Sequence, residues 1–476
     1  MTETIKTDIC VIGAGSGGLS VAAGAVQMGM GVVLIERGKM GGDCLNYGCV
    51  PSKALLAAGK QAHAMGKGEV FGIKPVVPEI DFAKVHDHVH GVIGAIEPND
   101  SVERFEGLGV NVIKGAARFI NEKTVEADGK RIEARRFVVA TGSSAAVPPI
   151  PGLESVPYLT NETIFERKEA PQHLLIIGGG PIGMEMAQAH RRLGAEVTVI
   201  EAFKVLGKDD PELAAIVVAQ LRKEGIAIRE GVGIERVEKD GEGVAVLLKG
   251  EEGKPGERLT GSHLLVAAGR KPNVDGLDLE NAGIEFDKRG IKVDARLRTS
   301  NKKIFAIGDV TGGLQFTHVA GYHAGIVIRN ALFKIPAKAD HSNVPWVTYT
   351  DPELAHIGLT EEEARGKYGK VEVLRWPLAE NDRAQAERRI EGMAKLIADS
   401  HGRILGASIV GPNAGDLLQP LVLAKANGLK ISALASVIAP YPTMTEVSKR
   451  AAGSFYTPTL YSTKTRLLVR FLKLFG

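Results

Sequence analysis

Short apolar runs ended by glycine turns set the rhythm of the first two thirds of the chain. Thr7 to Val11 reads as a buried strand, Gly13-Ala14-Gly15-Ser16-Gly17-Gly18 as a tight turn, and the stretch after it as a helix. A second apolar strand, Val32-Val33-Leu34-Ile35, stops at Glu36. The same order returns with Leu174-Leu175-Ile176-Ile177, the turn Gly178-Gly179-Gly180-Pro181-Ile182-Gly183, the strand Val197-Thr198-Val199-Ile200 and Glu201. The offset from first glycine to closing acid is identical in the two copies, as a repeated supersecondary unit requires.

Each unit has the parts of a Rossmann-type dinucleotide site. Gly13 and Gly178 permit the turn, Gly15 and Gly180 admit a pyrophosphate to the backbone, and Gly18 and Gly183 allow the helix to pack on its strand. Glu36 and Glu201 are placed to accept hydrogen bonds from ribose hydroxyls. Two dinucleotides are expected. Two further apolar strands end in glycine turns, Phe137 to Thr141-Gly142-Ser143 and Leu264 to Gly269-Arg270, and mark crossings between the units at ligand-binding strand ends. Ile304-Phe305-Ala306-Ile307-Gly308-Asp309 is another strand of this kind. Prolines cluster at both crossings, in Val147-Pro148-Pro149-Ile150-Pro151 and in Lys271-Pro272. From Val344 the pattern alternates strand-like and helical segments, including a strand in Arg403 to Val410.

A length of 476 residues points to three domains. The formal net charge of +3 gives no global reason to expect a nucleic-acid partner or an acidic substrate. Strand-like sequence begins within the first ten residues and no apolar run is long enough to span a bilayer, so a cytoplasmic protein is expected. With only three cysteines, a disulfide scaffold is excluded.

Two of those cysteines lie in Gly41-Gly42-Asp43-Cys44-Leu45-Asn46-Tyr47-Gly48-Cys49-Val50-Pro51-Ser52-Lys53. Pro51 is read as the first residue of a helix, which puts Cys49 just before an electropositive helix end that favours thiolate. The pair spacing by itself fits two buried thiols equally well. Cys10, inside the first strand, reads as a small core residue.

The cysteine run resembles the redox-active disulfide of the pyridine nucleotide-disulfide oxidoreductases, the flavoprotein family of dihydrolipoamide dehydrogenase, glutathione reductase and mercuric reductase. The resemblance extends over nearly the whole chain and implies an α/β fold: Rossmann-like FAD and NAD domains plus a C-terminal α+β dimerisation domain. It implies a discontinuous FAD domain (1–145 and 272–343), an inserted NAD(P) domain (146–271) and a dimerisation domain (344–476). It further implies that Cys49 contacts flavin and Cys44 exchanges with substrate. Lys53 and Glu185 match the pair beside the reactive flavin nitrogen, Asp309 the residue that holds the ribityl chain, and Gln315-Phe316-Thr317-His318 the start of a helix facing the flavin pyrimidine ring. His318 is carried only as a backbone contact. FAD binding is thus expected at Gly13, Gly15, Gly18, Glu36, Lys53, Thr141, Gly142, Ser143, Gly308, Asp309 and Gln315 to His318. NAD binding is expected at Gly178, Gly180, Gly183, Glu185, Glu201 and Gly269. A carboxylate at Glu201 repels a 2′-phosphate, so NAD is favoured over NADP, with Lys204 as a nearby countercharge.

The chain departs from the family near its end. Where the disulfide and dihydrolipoamide enzymes carry a histidine base in an HPxxxE run, this sequence has Tyr441-Pro442-Thr443-Met444-Thr445-Glu446. A phenol with a pKa near ~10 is a poorer proton acceptor at neutral pH than an imidazole near ~6.5. Tyrosine here resembles mercuric reductase, but that enzyme's C-terminal cysteine pair is missing. The expected partner is a second copy, with a small-molecule or protein disulfide or a thiophilic metal ion as acceptor. Dihydrolipoamide dehydrogenase with an altered base, and a binding component of a multienzyme or membrane assembly, are the alternatives. His86, His88 and His90 do not converge on one helical face, so no metal site is expected. Lys464 to Phe475 is basic and amphipathic, fit either to dock on its own protein, the preferred expectation, or to make peripheral contact with an anionic membrane.

Overall fold

The computed structural model describes residues 3–250 and 255–475. Its first sheet has seven strands. Asn111–Lys114, Val32–Glu36, Thr4–Ile12, Lys130–Val139, Thr124–Ala127 and Arg118–Asn121 lie side by side in that order. Ile304–Ala306 returns from far along the chain to run parallel to the end of Lys130–Val139. Both faces of the C-terminal half of the central strand, Ile9 to Ile12, are buried. Ile9 and Val11 pack with Leu19 and Val327, on the helices Ser16–Gln27 and Thr317–Ala331. Cys10 and Ile12 pack on the opposite side with Phe119 and Val125. A strand covered on both faces reads as an unbroken apolar run, which is why the pattern there does not alternate.

The second sheet is wholly parallel, in the order Ala227–Glu230, Glu196–Glu201, His173–Ile177, His263–Val266. A three-stranded antiparallel sheet, Ile234–Asp240, Gly243–Leu248 and Arg258–Gly261, accompanies it. The two crossing segments pair with each other, Ser143–Ala145 antiparallel to Arg270–Pro272. A five-stranded antiparallel sheet, from Pro345–Thr348 to Glu372–Pro377, forms the C-terminal body with its helices.

The cysteine-bearing helix runs from Cys49 to Met65, with Gly48 before it. It therefore starts two residues earlier than the proline signal implied. Pro51 occupies the third helical position, where an N–H still lacks an intrahelical acceptor, so the ring costs no hydrogen bond. Ala54 and Leu55 share a core with Met184 and Met186 of the second unit's helix, Pro181–Arg192. Gly59 sits at that contact, where a Cβ would come within 3.2 Å of the Ala189 carbonyl oxygen. The second nucleotide unit is thereby packed directly onto the helix that presents Cys49.

The C-terminal segment differs from expectation. Helix Thr463–Leu472 buries no residue against its own protomer, with Leu468 and Phe471 each more than half exposed. Within one protomer the helix thus makes no buried contact that would dock it on its own protein.

Candidate functional site

One cavity of about 2890 Å³ joins both glycine turns, the cysteine pair and the start of the Thr317–Ala331 helix. Such a volume exceeds what a single small ligand needs and suits two dinucleotides. Gly13, Gly15, Gly178 and Gly180 line it. Gly18 and Gly183 lie behind it, where a Cβ would collide with the carbonyl oxygens of Gly13 and Gly178. That is the helix–strand packing role. Beside Gly180 there is open space, as close approach of a pyrophosphate demands.

The two closing acids repeat one geometry. Glu36 accepts from the backbone N–H groups of Ala14 and Gly38, each at 2.6 Å. Glu201 accepts from Gly179 at 2.7 Å and Phe203 at 2.8 Å. Each carboxylate is thus fixed to its glycine turn while facing the cavity. Lys204 and Arg222 line the Glu201 end as well.

Asp309 accepts from the Ser143 hydroxyl at 2.6 Å, and burial pushes its carboxyl above the usual range. The Gly308 N–H donates to Nδ1 of buried His323, whose other nitrogen meets His341 at 2.7 Å. Burial holds His323 down at about 4, so the imidazole stays neutral and keeps its acceptor. Thr141 donates to the Asn273 carbonyl, whose own side chain donates back to the Thr141 carbonyl. Gly142, Gly269, Gln315 and Phe316 also line the cavity. His318 stacks on Phe316 and meets the Pro345 carbonyl through Nε2 at 2.9 Å.

Cys44 and Cys49 are both free thiols here and hydrogen-bond to each other. Cys44 lies in the short helix Gly42–Asn46 and is half-buried. Its hydrogen bond to Cys49, then burial, push its thiol far up. Cys49 is pulled down to about 6, chiefly by that hydrogen bond, with help from the Thr317 hydroxyl at 3.3 Å and the charge of Lys53. The pair therefore carries one proton across neutral pH, with the charge on Cys49.

Lys53 donates to Glu185 Oε2 at 2.9 Å, and its ammonium stands 4.2 Å from the centre of the Tyr349 ring. Glu185 is only 4% exposed and takes a second hydrogen bond, 3.0 Å, from the Tyr349 N–H. Tyr349, just past the end of the strand Pro345–Thr348, did not stand out in the sequence, since an aromatic at a strand end ordinarily means packing. Arg270 also emerges only in three dimensions. It donates to Ser143 and pairs with Asp43 at 3.1 Å, while Asn161 donates to the same Asp43 oxygen. These contacts tie the cysteine loop to the crossing strands.

Tyr441 and Glu446 do not line this cavity. Tyr441 is 70% exposed and donates to Asp382 at 2.9 Å, a bond that raises its pKa further. Glu446 accepts from the Thr443 N–H at 3.4 Å. Elsewhere, His86 and His90 share a face of helix Phe82–Ile96 with their rings 4.1 Å apart, and His88 is exposed. Glu166, too distant in sequence to be foreseen, brings a third ligating atom within 4.8 Å, although His90 Nε2 is engaged with the Phe165 carbonyl.

Residues 7–324 match the pyridine nucleotide-disulphide oxidoreductase family and residues 344–452 its dimerisation domain. The chain belongs to this family, whose members use FAD and NAD(P)H. It is 40% identical over 453 residues to a mercuric reductase of Lysinibacillus sphaericus, covering 94% of this chain and 82% of that one. It is 37% identical to a dihydrolipoyl dehydrogenase of Thermus scotoductus, covering 95% and 98%. The Cu(II) complex of the HOCl-induced flavoprotein disulfide reductase RclA from Escherichia coli superposes with a TM-score of 0.85 at 30% identity, over 94% of this chain and 99% of that one. As in its relatives, the chain is a flavoprotein oxidoreductase with a dimerisation domain. No described helix is long and apolar enough to cross a membrane.

Proposed function

We propose that the protein is a homodimeric, NADH-driven reductase that delivers an electron pair through Cys49 and Cys44 to a thiophilic metal ion or a disulfide. The domain assignment is 1–145 with 272–343 for FAD, 146–271 for NAD and 344–476 for the subunit interface. The paired glycine turns and Glu36, Ser143 and Asp309 fit FAD on one side, and Gly180 and Glu201 fit NAD on the other. When bound, FAD supplies a carrier that takes hydride from NADH and returns two electrons to a disulfide.

The chain's own residues do the rest. Glu185 holds Lys53 with its positive charge towards the cavity, where it offsets negative charge arriving during reduction. Reduction of the disulfide breaks the sulfur–sulfur bond, consumes two electrons and one proton, and leaves Cys44 as thiol and Cys49 as thiolate. Cys44 then exchanges with the acceptor after losing its proton. Re-forming the disulfide returns two electrons, enough to take Hg(II) to the metal or a pair of Cu(II) ions to Cu(I).

The observation that carries this direction is Tyr441. Its bond to the Asp382 carboxylate raises an already high pKa, so it stays a protonated phenol at neutral pH and is a poor acceptor for a proton from dihydrolipoamide. Soft-metal transfer between thiolates has no such requirement. The mercuric reductase and Cu(II)-bound relatives support the same choice. The second reading, dihydrolipoamide dehydrogenase, is favoured by similarity to such an enzyme over 95% of this chain and 98% of that one. Steady-state NADH oxidation with Cu(II), Hg(II) and glutathione disulfide, set against NAD+ reduction by dihydrolipoamide, separates them. NADH-driven turnover well above dihydrolipoamide oxidation supports the proposal, and the reverse order establishes the second reading.

A further inference from the structure

The segment after residue 452 lies outside both matched family domains. It does not trail as loose chain. Ser462 caps helix Thr463–Leu472 by accepting from the Thr465 N–H, and the Thr465 hydroxyl donates back to the Thr459 carbonyl. A defined helix is therefore presented, yet none of its residues is buried. Leu467, Phe471 and Leu474 follow one another at helical spacing, as do Leu468, Leu472 and Phe475, and all six are at least 54% exposed. Arg466, Arg470 and Lys473 fall together on the opposite side, and no acid occurs from Lys464 to Phe475.

We infer that this helix is a peripheral membrane anchor for an anionic bilayer surface. An apolar stripe wider than one helical row, with three cations opposite it and Lys464 at its N-terminal end, matches the interface between acyl chains and anionic headgroups. A protein groove would satisfy the leucines and Phe471. It gives no reason for four cations without a single acid, whereas negative lipid headgroups do. The helix is too short to cross the bilayer and lies along its surface. One short helix binds weakly and reversibly; a dimer carries two copies, so simultaneous engagement raises the retention of the assembly. This assignment is independent of which acceptor the cysteines reduce.

The test is co-sedimentation of the full-length holoprotein with vesicles of phosphatidylcholine alone or mixed with phosphatidylglycerol, at low and high salt. Binding is expected only to the mixed vesicles and is expected to weaken with salt. Arg466→Gln with Arg470→Gln should weaken it roughly 25-fold, at about fivefold for each basic residue lost. Phe471→Glu should abolish it, and a chain ending at Ser462 should fail to sediment while keeping its NADH-driven activity and dimeric mass. No binding to either vesicle, or equal binding to both, would overturn the inference. So would a truncated chain that turns monomeric, since the occupant of the apolar face would then be the second subunit.

Discussion

Lys53 and Glu185 form an ion pair across two helices that belong to different nucleotide units, with Nζ 2.9 Å from Oε2. The lysine opens to the cavity while the glutamate is buried, so the pair fixes a positive charge at the reactive centre from behind. Lys53→Met leaves a buried carboxylate without its cation. We expect a loss of about 3 kcal/mol in unfolding free energy, near the low end for a broken buried pair because Lys53 is partly solvated. Lys53→Met with Glu185→Leu should recover most of that stability in chemical denaturation but not the rate of reduction by NADH, which should stay down by roughly 10²-fold. Full recovery of both would make the pair merely structural.

The unequal thiols predict a spectroscopic titration. Anaerobic NADH reduction should produce a long-wavelength thiolate-to-flavin band, lost in Cys49→Ser and retained in Cys44→Ser. Because Cys49 is held at about 6, the band should be full at neutral pH and fade as pH falls through that value. Thr317→Val removes a hydrogen bond that lowers the thiol and should move the midpoint upward. A band that persists in Cys49→Ser would reverse the assigned roles.

Both glycine-turn units were legible in the sequence because their chemistry is local: turn, helix start and closing acid lie within one short stretch of chain. The cysteine run, Lys53 and Glu185 were picked out only by their resemblance to family motifs, and the fold brings Lys53 and Glu185, far apart in the chain, into one ion pair. What stayed hidden was long-range. Tyr349 reaches Lys53 from the residue just after the strand Pro345–Thr348, far along the chain, Asn161 and Arg270 meet at Asp43, and His323 supports Gly308 from within a helix. No periodicity links such residues. The start of the cysteine helix was misplaced because proline suits any of the first helical positions, and its placement at the first is a preference rather than a rule.

Cofactor choice follows from Glu201, held by two backbone N–H groups at the second turn. NADH should give a higher kcat/KM than NADPH. Glu201→Arg should narrow or reverse the ratio, because Lys204 and Arg222 already line that end of the cavity. Equal use of both by the unaltered protein would remove the carboxylate from the argument.

Tyr441→His should raise dihydrolipoamide oxidation, with the gain appearing as pH rises through the imidazole titration. General bases commonly contribute about 10² to 10⁴-fold, so even an imperfectly aligned histidine gives a measurable increase. Metal-ion reduction should stay level or fall. High dihydrolipoamide activity before the substitution would show that this position does not limit thiol chemistry.

Electrons from NADH should leave through Cys44. The test is to reduce the enzyme anaerobically with one equivalent of NADH, mix it with excess Cu(II) and measure Cu(I) formed per active site. The unaltered protein should give a pair of Cu(I) ions for each dithiol, and Cys44→Ser a near-complete loss of the fast phase, although that variant still takes hydride from NADH. An undiminished fast Cu(I) yield in Cys44→Ser would contradict this route, because the metal would then be drawing electrons without the outer thiol.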